Sequence, residues 1–394
     1  MLIELFLALS AGLIAGTITG LLPGIHINLV GAILVSLSIG ILSPINPIYL
    51  VVFVVTMSIA HTFLDFIPSV FLGCPDTDTA LSVLPGHELL KEGNGYEAIM
   101  LAVYGGLIAV FLLLLTSIPL ILFVEKGYNL IKSFIPYILI FVVFFMIFSE
   151  SKKVLAFFVI AITGVLGYIT LNLNMKESLL PLLSGLFGAS SLLISIKTKV
   201  KIPKQKISKI KPKFLKPILA TMIASPLCGF LPGLGSSQAA VVGNTIVNSD
   251  KKEFLTLIGA TNTLVMGFSF ISLYTIHKMR TGSAATINNL IGSLDKNILI
   301  LILATSFMAG VISFFLTSFL AKRFIKIFAK INYTKLQYFV IIFITLVVIL
   351  FSGFLGLIIF IISTLTGFYC ISLGVRRTNM MACLLIPTII LYLF

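Results

Sequence analysis

Uncharged apolar runs, many of them close to the roughly 20 residues that a membrane helix needs, follow one another along most of this 394-residue chain. Hydrophobic residues make up 59% of it and charged residues only 10%, with a mean hydropathy of +1.17. So little charge does not cover a water-soluble surface. The length leaves room for about a dozen spans, and the expected fold is an all-α polytopic protein of the cell membrane.

Two of these runs are interrupted in the same way. The segment Leu22-Pro23-Gly24-Ile25-His26-Ile27-Asn28 has a near copy at Leu231-Pro232-Gly233-Leu234-Gly235-Ser236-Ser237-Gln238. Proline removes a backbone donor and glycine loosens the chain, so each copy should break a membrane helix. Broken backbone at membrane depth survives only where protein buries it or a polar cavity borders it. Paired breaks in corresponding places of two halves point to the substrate site of a secondary transporter.

The rest of the chain supports a duplication. Residues 1–196 form one membrane repeat, 197–216 a basic linker, and 217–394 a second repeat. Each half reads as a break, a second segment, a third segment, a polar loop and then four spans. The third run, about Ile48 to Gly73, holds His61, Asp65 and Pro68 and should itself be broken. The linker carries Lys at 197, 199, 201, 204, 206, 209, 211, 213 and 216 without an acidic residue. Such a segment is expected on the cytoplasmic side, with an anionic-lipid contact as the alternative. Alternating the spans outward from it places the polar loop 74–97 inside and its counterpart 277–296 outside, so the repeats are expected to have inverted topology. The breaks are re-entrant hairpins or full crossings; both keep this parity.

The candidate substrate-binding residues cluster at the breaks. A helix that starts after a break presents unpaired N–H groups and the positive end of its dipole, which favours an anion. Pro23, Gly24, His26 and Asn28 mark the first such start, and Pro232, Gly233, Gly235, Ser236, Ser237 and Gln238 the second. Plain kinks with ordinary capping residues are the competing reading. Arg280 has the guanidinium that could clamp a carboxylate or phosphate, against the simpler role of an exposed loop cation. Asp65 is the one carboxylate far inside an apolar run, with His61 four residues earlier. A buried Asp must be paired, protonated or bound to a cation. His61, Asp65, Thr261 and Asn262 are therefore candidates for coupling to Na+ or H+, with a structural His–Asp pair as the rival.

Other classes fit poorly. The net charge of +14 resides in short loops between apolar runs, which the positive-inside bias explains without nucleic acid. Cys74, Cys228, Cys370 and Cys383 are scattered and lack metal-ligand spacing. No phosphate-binding loop, nucleophile elbow or paired catalytic carboxylates appear, so neither an enzyme nor a resident cofactor or metal is expected.

Around Gly20–Asn28 and Gly229–Gln238 the sequence resembles the large permease subunit of tripartite tricarboxylate transporters, the TctA-type family. Pro232-Gly233-Leu234-Gly235 keeps that family's Pro-Gly-Leu-Gly pattern, and Pro23-Gly24-Ile25-His26 departs from it at the last position. Leu84-Pro85-Gly86-His87-Glu88-Leu89-Leu90-Lys91-Glu92-Gly93 is similar to the family's segment after its third helix. The resemblance implies a secondary carrier for a small organic anion of di- or tricarboxylate type. It also implies a small membrane subunit and an extracytoplasmic binding protein as partners, beside the lipid bilayer; self-association stays open. A polyprenyl-phosphate translocase, which would hold a lipid phosphate at the same helix starts, is the alternative.

Overall fold

In the computed structural model the chain is described from residue 2 to 393, apart from 23–26, 74–77, 174, 176–177, 198–202, 231–234 and 329–332. The described residues contain helices and no strand. The first half comprises α1 (Leu2–Leu21), α2 (Ile27–Ile39), α3 (Pro47–Leu64), α4 (Phe66–Leu72), α5 (Val83–Lys91), α6 (Gly95–Phe148), α7 (Lys153–Asn172), α8 (Leu179–Leu183) and α9 (Ser190–Lys197). A π-helical turn, Ser184–Ala189, joins α8 to α9. The second half comprises α10 (Leu215–Phe230), α11 (Ser236–Val247), α12 (Lys251–Ile276), α13 (Gly282–Ile291), α14 (Lys296–Phe328), α15 (Tyr333–Ser372) and α16 (Ala382–Leu393).

Among the described residues seven helical stretches are long and apolar enough to cross a bilayer. The polar loops expected at 74–97 and 277–296 hold the short helices α5 and α13 instead. Their polar composition hid them, because each buries one side against the core while the other carries polar groups. The break expected in the third run is present but only one residue long. Asp65 separates α3 from α4, and Pro68 cannot donate to the carbonyl four residues back. In α15 the left-handed φ of 66° at Gly353 divides the two spans expected there.

Helix directions follow from the contacts. Gly12 lies against Phe53 and Thr56, Gly16 against Met57 and Ala60, and Gly20 against Leu64, so α1 and α3 run parallel. α2 packs against α13 and α3. A second parallel pair lies later in the chain. Lys213 pairs with Asp250 at 3.1 Å and Lys216 with Glu253 at 3.7 Å, while Gly229 meets Phe268, so α10 runs parallel to α12. Gly243 packs on Ala220, and Lys216 Nζ donates to the Asn248 carbonyl at 3.4 Å. α10 and α11 therefore lie antiparallel, with the start of α10 and the end of α11 near the linker. α10 is about 24 Å long and α11 about 18 Å, so the end of α10 and the start of α11 lie well away from the linker.

The linker lies across one face of the helix bundle. Gln205 accepts from the Gly95 backbone at 2.8 Å and donates to the Leu90 carbonyl at 2.9 Å, and Lys206 N–H donates to the Gly93 carbonyl at 2.8 Å. The same face gathers Lys252–Glu97 at 2.6 Å, Lys251–Glu88 at 2.5 Å, and Arg376 against Glu150. Residues at both ends of α6 take part in this face, and this long helix carries Pro119 and Pro136 within it.

α3–α4 and α12 are the central spans. Their apolar windows are 94% buried, against 17% for α15, although α15 is the more hydropathic. Lipid receives the more apolar helices, and the helices richest in Ser, Thr and Asn are covered by them. Backbones approach closely around this centre: a Cβ at Gly259 would overlap the Ala102 carbonyl, and one at Gly105 the Thr256 carbonyl. Gly259→Val should therefore force α6 off α12, at a cost of about 1–3 kcal/mol or more. A lower melting temperature and a smaller monodisperse fraction in detergent are expected, while Gly40→Ala, with open space around it, should behave like the parent.

Candidate functional site

α3 and α12 run antiparallel and meet where α3 passes into α4, near the middle of α12. From Lys251 to Asn262 is about 17 Å along α12, and from Pro47 to Thr62 about 23 Å along α3. At the crossing Thr62 Oγ1 lies 3.1 Å from Thr263 Oγ1, and Asn262 Nδ2 donates to Asp65 Oδ2 at 3.0 Å. One helical turn toward the start of α3, Ser58 Oγ and Ser283 Oγ of α13 are 2.5 Å apart. His61 faces α1 instead, its Nδ1 3.1 Å from Thr19 Oγ1. All these side chains are buried, Asp65 with only 3% of its surface exposed. The crossing is a seam of hydroxyl, amide and carboxylate groups at mid-span.

Of the four coupling candidates, Asp65 and Asn262 thus meet directly and His61 stands one turn away. Thr261 is fully buried, but its hydroxyl donates to carbonyls of its own helix, Leu257 and Ile258, each at 3.0 Å. Such back-bonding is common for threonine in helices.

The ends of α1 and α10 both pack against the central spans. In α1, Gly20 packs on Leu64 and the Asp65 backbone; in α10, Phe230 stacks on Phe268 with ring centroids 5.9 Å apart. Pro23, Gly24, His26, Pro232 and Gly233 lie outside the described residues, as does the side chain of Asn28. Ser236, Ser237 and Gln238 open α11 and are buried.

The start of α11 already has an anion, supplied by the other half of the chain. Asp78 Oδ1 accepts from Ser236 N–H at 3.2 Å and from Ser236 Oγ at 2.6 Å. Gly235 N–H donates to Gln238 Oε1 at 3.0 Å. The carboxylate sits where the helix dipole is positive and the orphan donors need acceptors. Asp78 was not among the candidate site residues in the sequence, because a lone Asp in a polar loop reads as solvated surface. Its one signal was its place at the re-entry point that Arg280 occupies in the second half.

Arg280 is half-buried, and the burial of its Nε and Nη2 argues against the exposed loop cation. It lies within electrostatic range of Cys228 near the end of α10. The next residue, Thr281, caps α13 through Ala284 N–H at 3.2 Å and meets Ser269 Oγ at 2.9 Å. In the first half Ser69 Oγ likewise meets Ser82 Oγ at 2.8 Å. Each re-entry segment is thereby fastened to a serine of the central helix it follows.

The sequence matches the Tripartite tricarboxylate transporter TctA family over residues 6–382. The chain belongs to that family. This TctA-family chain is also similar to the uncharacterized protein MJ1079 of Methanocaldococcus jannaschii, with 36% identity over 98% of each chain. No solved structure matches it. Membership makes it a component of a tricarboxylate transporter embedded in the membrane by several helices. Nothing in these relationships points to a lipid-phosphate translocase.

Two outcomes test this geometry. Asp78→Ala strips the α11 start of its acceptor and should cost about 1–3 kcal/mol, read as a lower melting temperature in detergent. Ser236→Ala should cost little more once Asp78 is gone, so a double-mutant cycle should report coupling of about 1 kcal/mol or more. On the linker face, burial holds the His87 imidazole neutral, with its pKa down to about 3, and the charges of Lys91 and Arg377 act the same way. The unfolded chain takes up this proton near pH 6.5 and the folded chain does not. Stability should be full above that pH and fall by about 1.4 kcal/mol per unit as pH drops toward 3. His87→Gln should flatten the slope between pH 6.5 and 5.5.

Proposed function

We propose that this chain is the membrane carrier of a secondary transporter that moves a small di- or tricarboxylate anion, coupled to Na+ or H+. The observation that supports this reading best is the buried seam at the α3–α12 crossing, with the Asp65 carboxylate bonded to Asn262 at mid-span. An ionisable group so placed is costly in a protein that serves only as scaffold. In a carrier the cost has a use.

In this mechanism Asp65 binds the coupling cation, assisted by the Asn262 amide oxygen and the neighbouring Thr62 and Thr263 hydroxyls. A hard cation such as Na+ takes oxygen ligands of this kind; a proton would neutralise the carboxylate outright. The anion binds beside it at the helix starts, with uncharged donors from Ser236, Ser237 and Ser283 and the break residues Pro23–Asn28 and Pro232–Gln238. His26 and Arg280 complete that side, and Arg280 supplies a positive charge. Uncharged donors hold an anion without trapping it, as a carrier requires.

The two halves are read as an inverted duplication. The parallel α1/α3 and α10/α12 pairs, which run in opposite directions, support this, and residues 1–196 and 217–394 should superpose about an axis in the membrane plane. The linker is assigned to the cytoplasm from its lysines. The tripartite family name supports a small membrane subunit and an external binding protein as partners.

Purified protein in vesicles, supplied with labelled citrate and an imposed Na+ or pH gradient, tests this function. The parent should accumulate citrate. Asp65→Asn should lose at least tenfold of that accumulation, a difference of about 1.4 kcal/mol or more, while keeping citrate exchange. Ser237→Ala should weaken both. A folded Asp65→Asn protein that accumulates citrate like the parent would remove Asp65 from coupling.

A further inference from the structure

A cavity of about 640 Å³ opens at the linker face, away from the α3–α12 crossing. Its walls come from both halves: Ala80 and Glu88 around α5, Ser149 after α6, the α11 face bearing Asn244 and Asn248, and the segment Arg376–Asn379. The inner wall includes Ala80 and Val241, two and five residues from the hydrogen-bonded pair Asp78–Ser236.

Charge pairing across this cavity leaves Arg377 without an ion pair, although the Glu88 carboxylate lies within electrostatic range of it. Glu88 is taken by Lys251 at 2.5 Å, Asp250 by Lys213 at 3.1 Å, and Glu150 by Arg376 at 3.9 Å. Glu150 also accepts from the Arg376 backbone at 2.8 Å and from Asn379 Nδ2 at 3.0 Å. Arg377 lines the same space, and among the described residues no carboxylate comes within ion-pair distance of it. Its close partner is a neutral hydroxyl, Ser191 Oγ, at 2.7 Å from Nη1. Lys91, one helical turn beyond His87, adds to the positive potential on this side of α5. A half-buried guanidinium facing a cavity with only a hydroxyl to bond is an incomplete recognition site, because its planar fork matches the two oxygens of a carboxylate or phosphate.

A second feature lies in the same wall. The π-helical turn Ser184–Ala189 contributes Phe187 to the cavity, and the chain continues directly into Ser190 and Ser191. Such turns are rare and gather at functional sites. Here the extra residue resets the register, so that Ser191 reaches Arg377 while its hydroxyl donates to the Phe187 carbonyl at 2.5 Å.

We propose that this linker-face cavity is a second anion site, distinct from the mid-span site, in which Arg377, positioned by Ser191, binds a polyvalent oxyanion through a carboxylate or phosphate group. Asn244 and Asn248 of α11 and Asn379 supply further donors. A soluble polycarboxylate and a phospholipid headgroup share this chemistry. The site stands independently of ion coupling at Asp65; its use as a vestibule for cargo rests on the transport reading.

The test uses the full chain in nanodiscs of phosphatidylcholine at constant ionic strength. Binding of citrate, inorganic phosphate and acetate is followed by calorimetry and by thermal shift. Asp65→Asn serves as background, so that mid-span binding does not mask the cavity. Citrate or phosphate should bind and acetate should bind much more weakly. Arg377→Gln should weaken binding about tenfold or more, and Arg377→Lys, which keeps the charge without the fork, by less. Ser191→Ala leaves the guanidinium in place and should weaken binding several-fold, which guards against a misfolded Arg377→Gln. Discs doped with phosphatidylglycerol separate the sources. An Arg377-dependent stabilisation by that lipid, which citrate does not compete away, assigns the cavity to a headgroup; competition by citrate assigns it to soluble anion. Equal affinity in the parent and a folded Arg377→Gln, or no binding of any of these anions, overturns the proposal. Loss of citrate transport with Arg377-dependent binding intact would refute the transport reading and leave this site standing.

Discussion

A bilayer core has no water to offer, and every polar atom carried into it must find a partner in the protein. The seam between α3 and α12 is where this chain meets that demand. Thr62 meets Thr263, Asp65 meets Asn262, and Ser58 meets Ser283 of α13. Neither central helix can satisfy its polar side chains alone, and neither can face lipid. The remaining helices are arranged around that pair: α1 and α10 lie alongside, α6 and α14 pack against them, and the most apolar spans form the outside. Burial of polar groups and exposure of apolar ones, the reverse of a water-soluble protein, follow from one solvent.

Much of this was legible in the sequence. Run lengths gave the spans to within a few residues, since hydropathy is a strong signal over 20 positions. An Asp in the middle of an apolar run marked the seam, while both Pro-Gly pairs fall outside the described residues. Other features left no local trace. α5 and α13 are short, polar on one side and covered on the other, so neither composition nor length separated them from loops. Asn262 could be suspected only as a position; that it faces Asp65 while Thr261 turns back on its own helix depends on rotation about the α12 axis. Asp78 and Arg377 were the least readable, because their roles arise from contacts with segments 158 and 186 residues distant.

The linker face and the mid-span seam divide the chain's charge by kind. At the face, acids and bases are numerous, mostly exposed and mutually paired, and individual pairs there add little stability. At the seam one carboxylate is held by an amide. A few polar groups in a low-dielectric centre interact more strongly than many at the edge, so single substitutions should matter at Asp65 or Asn262 and be absorbed at Lys213 or Lys252.

The bond between Asp78 and Ser236 joins a loop of the first half to a helix start of the second. Whatever anion approaches that helix start meets a carboxylate already tethered to it, present at an effective concentration on the order of millimolar or higher. The apparent affinity is then a difference between two similar interactions, and exchange is faster than the strength of either would allow. Because the tether belongs to the opposite half, displacing Asp78 also breaks one of the bonds between the two halves. Occupancy of a small site would thus be read by the whole protein as a loosened joint.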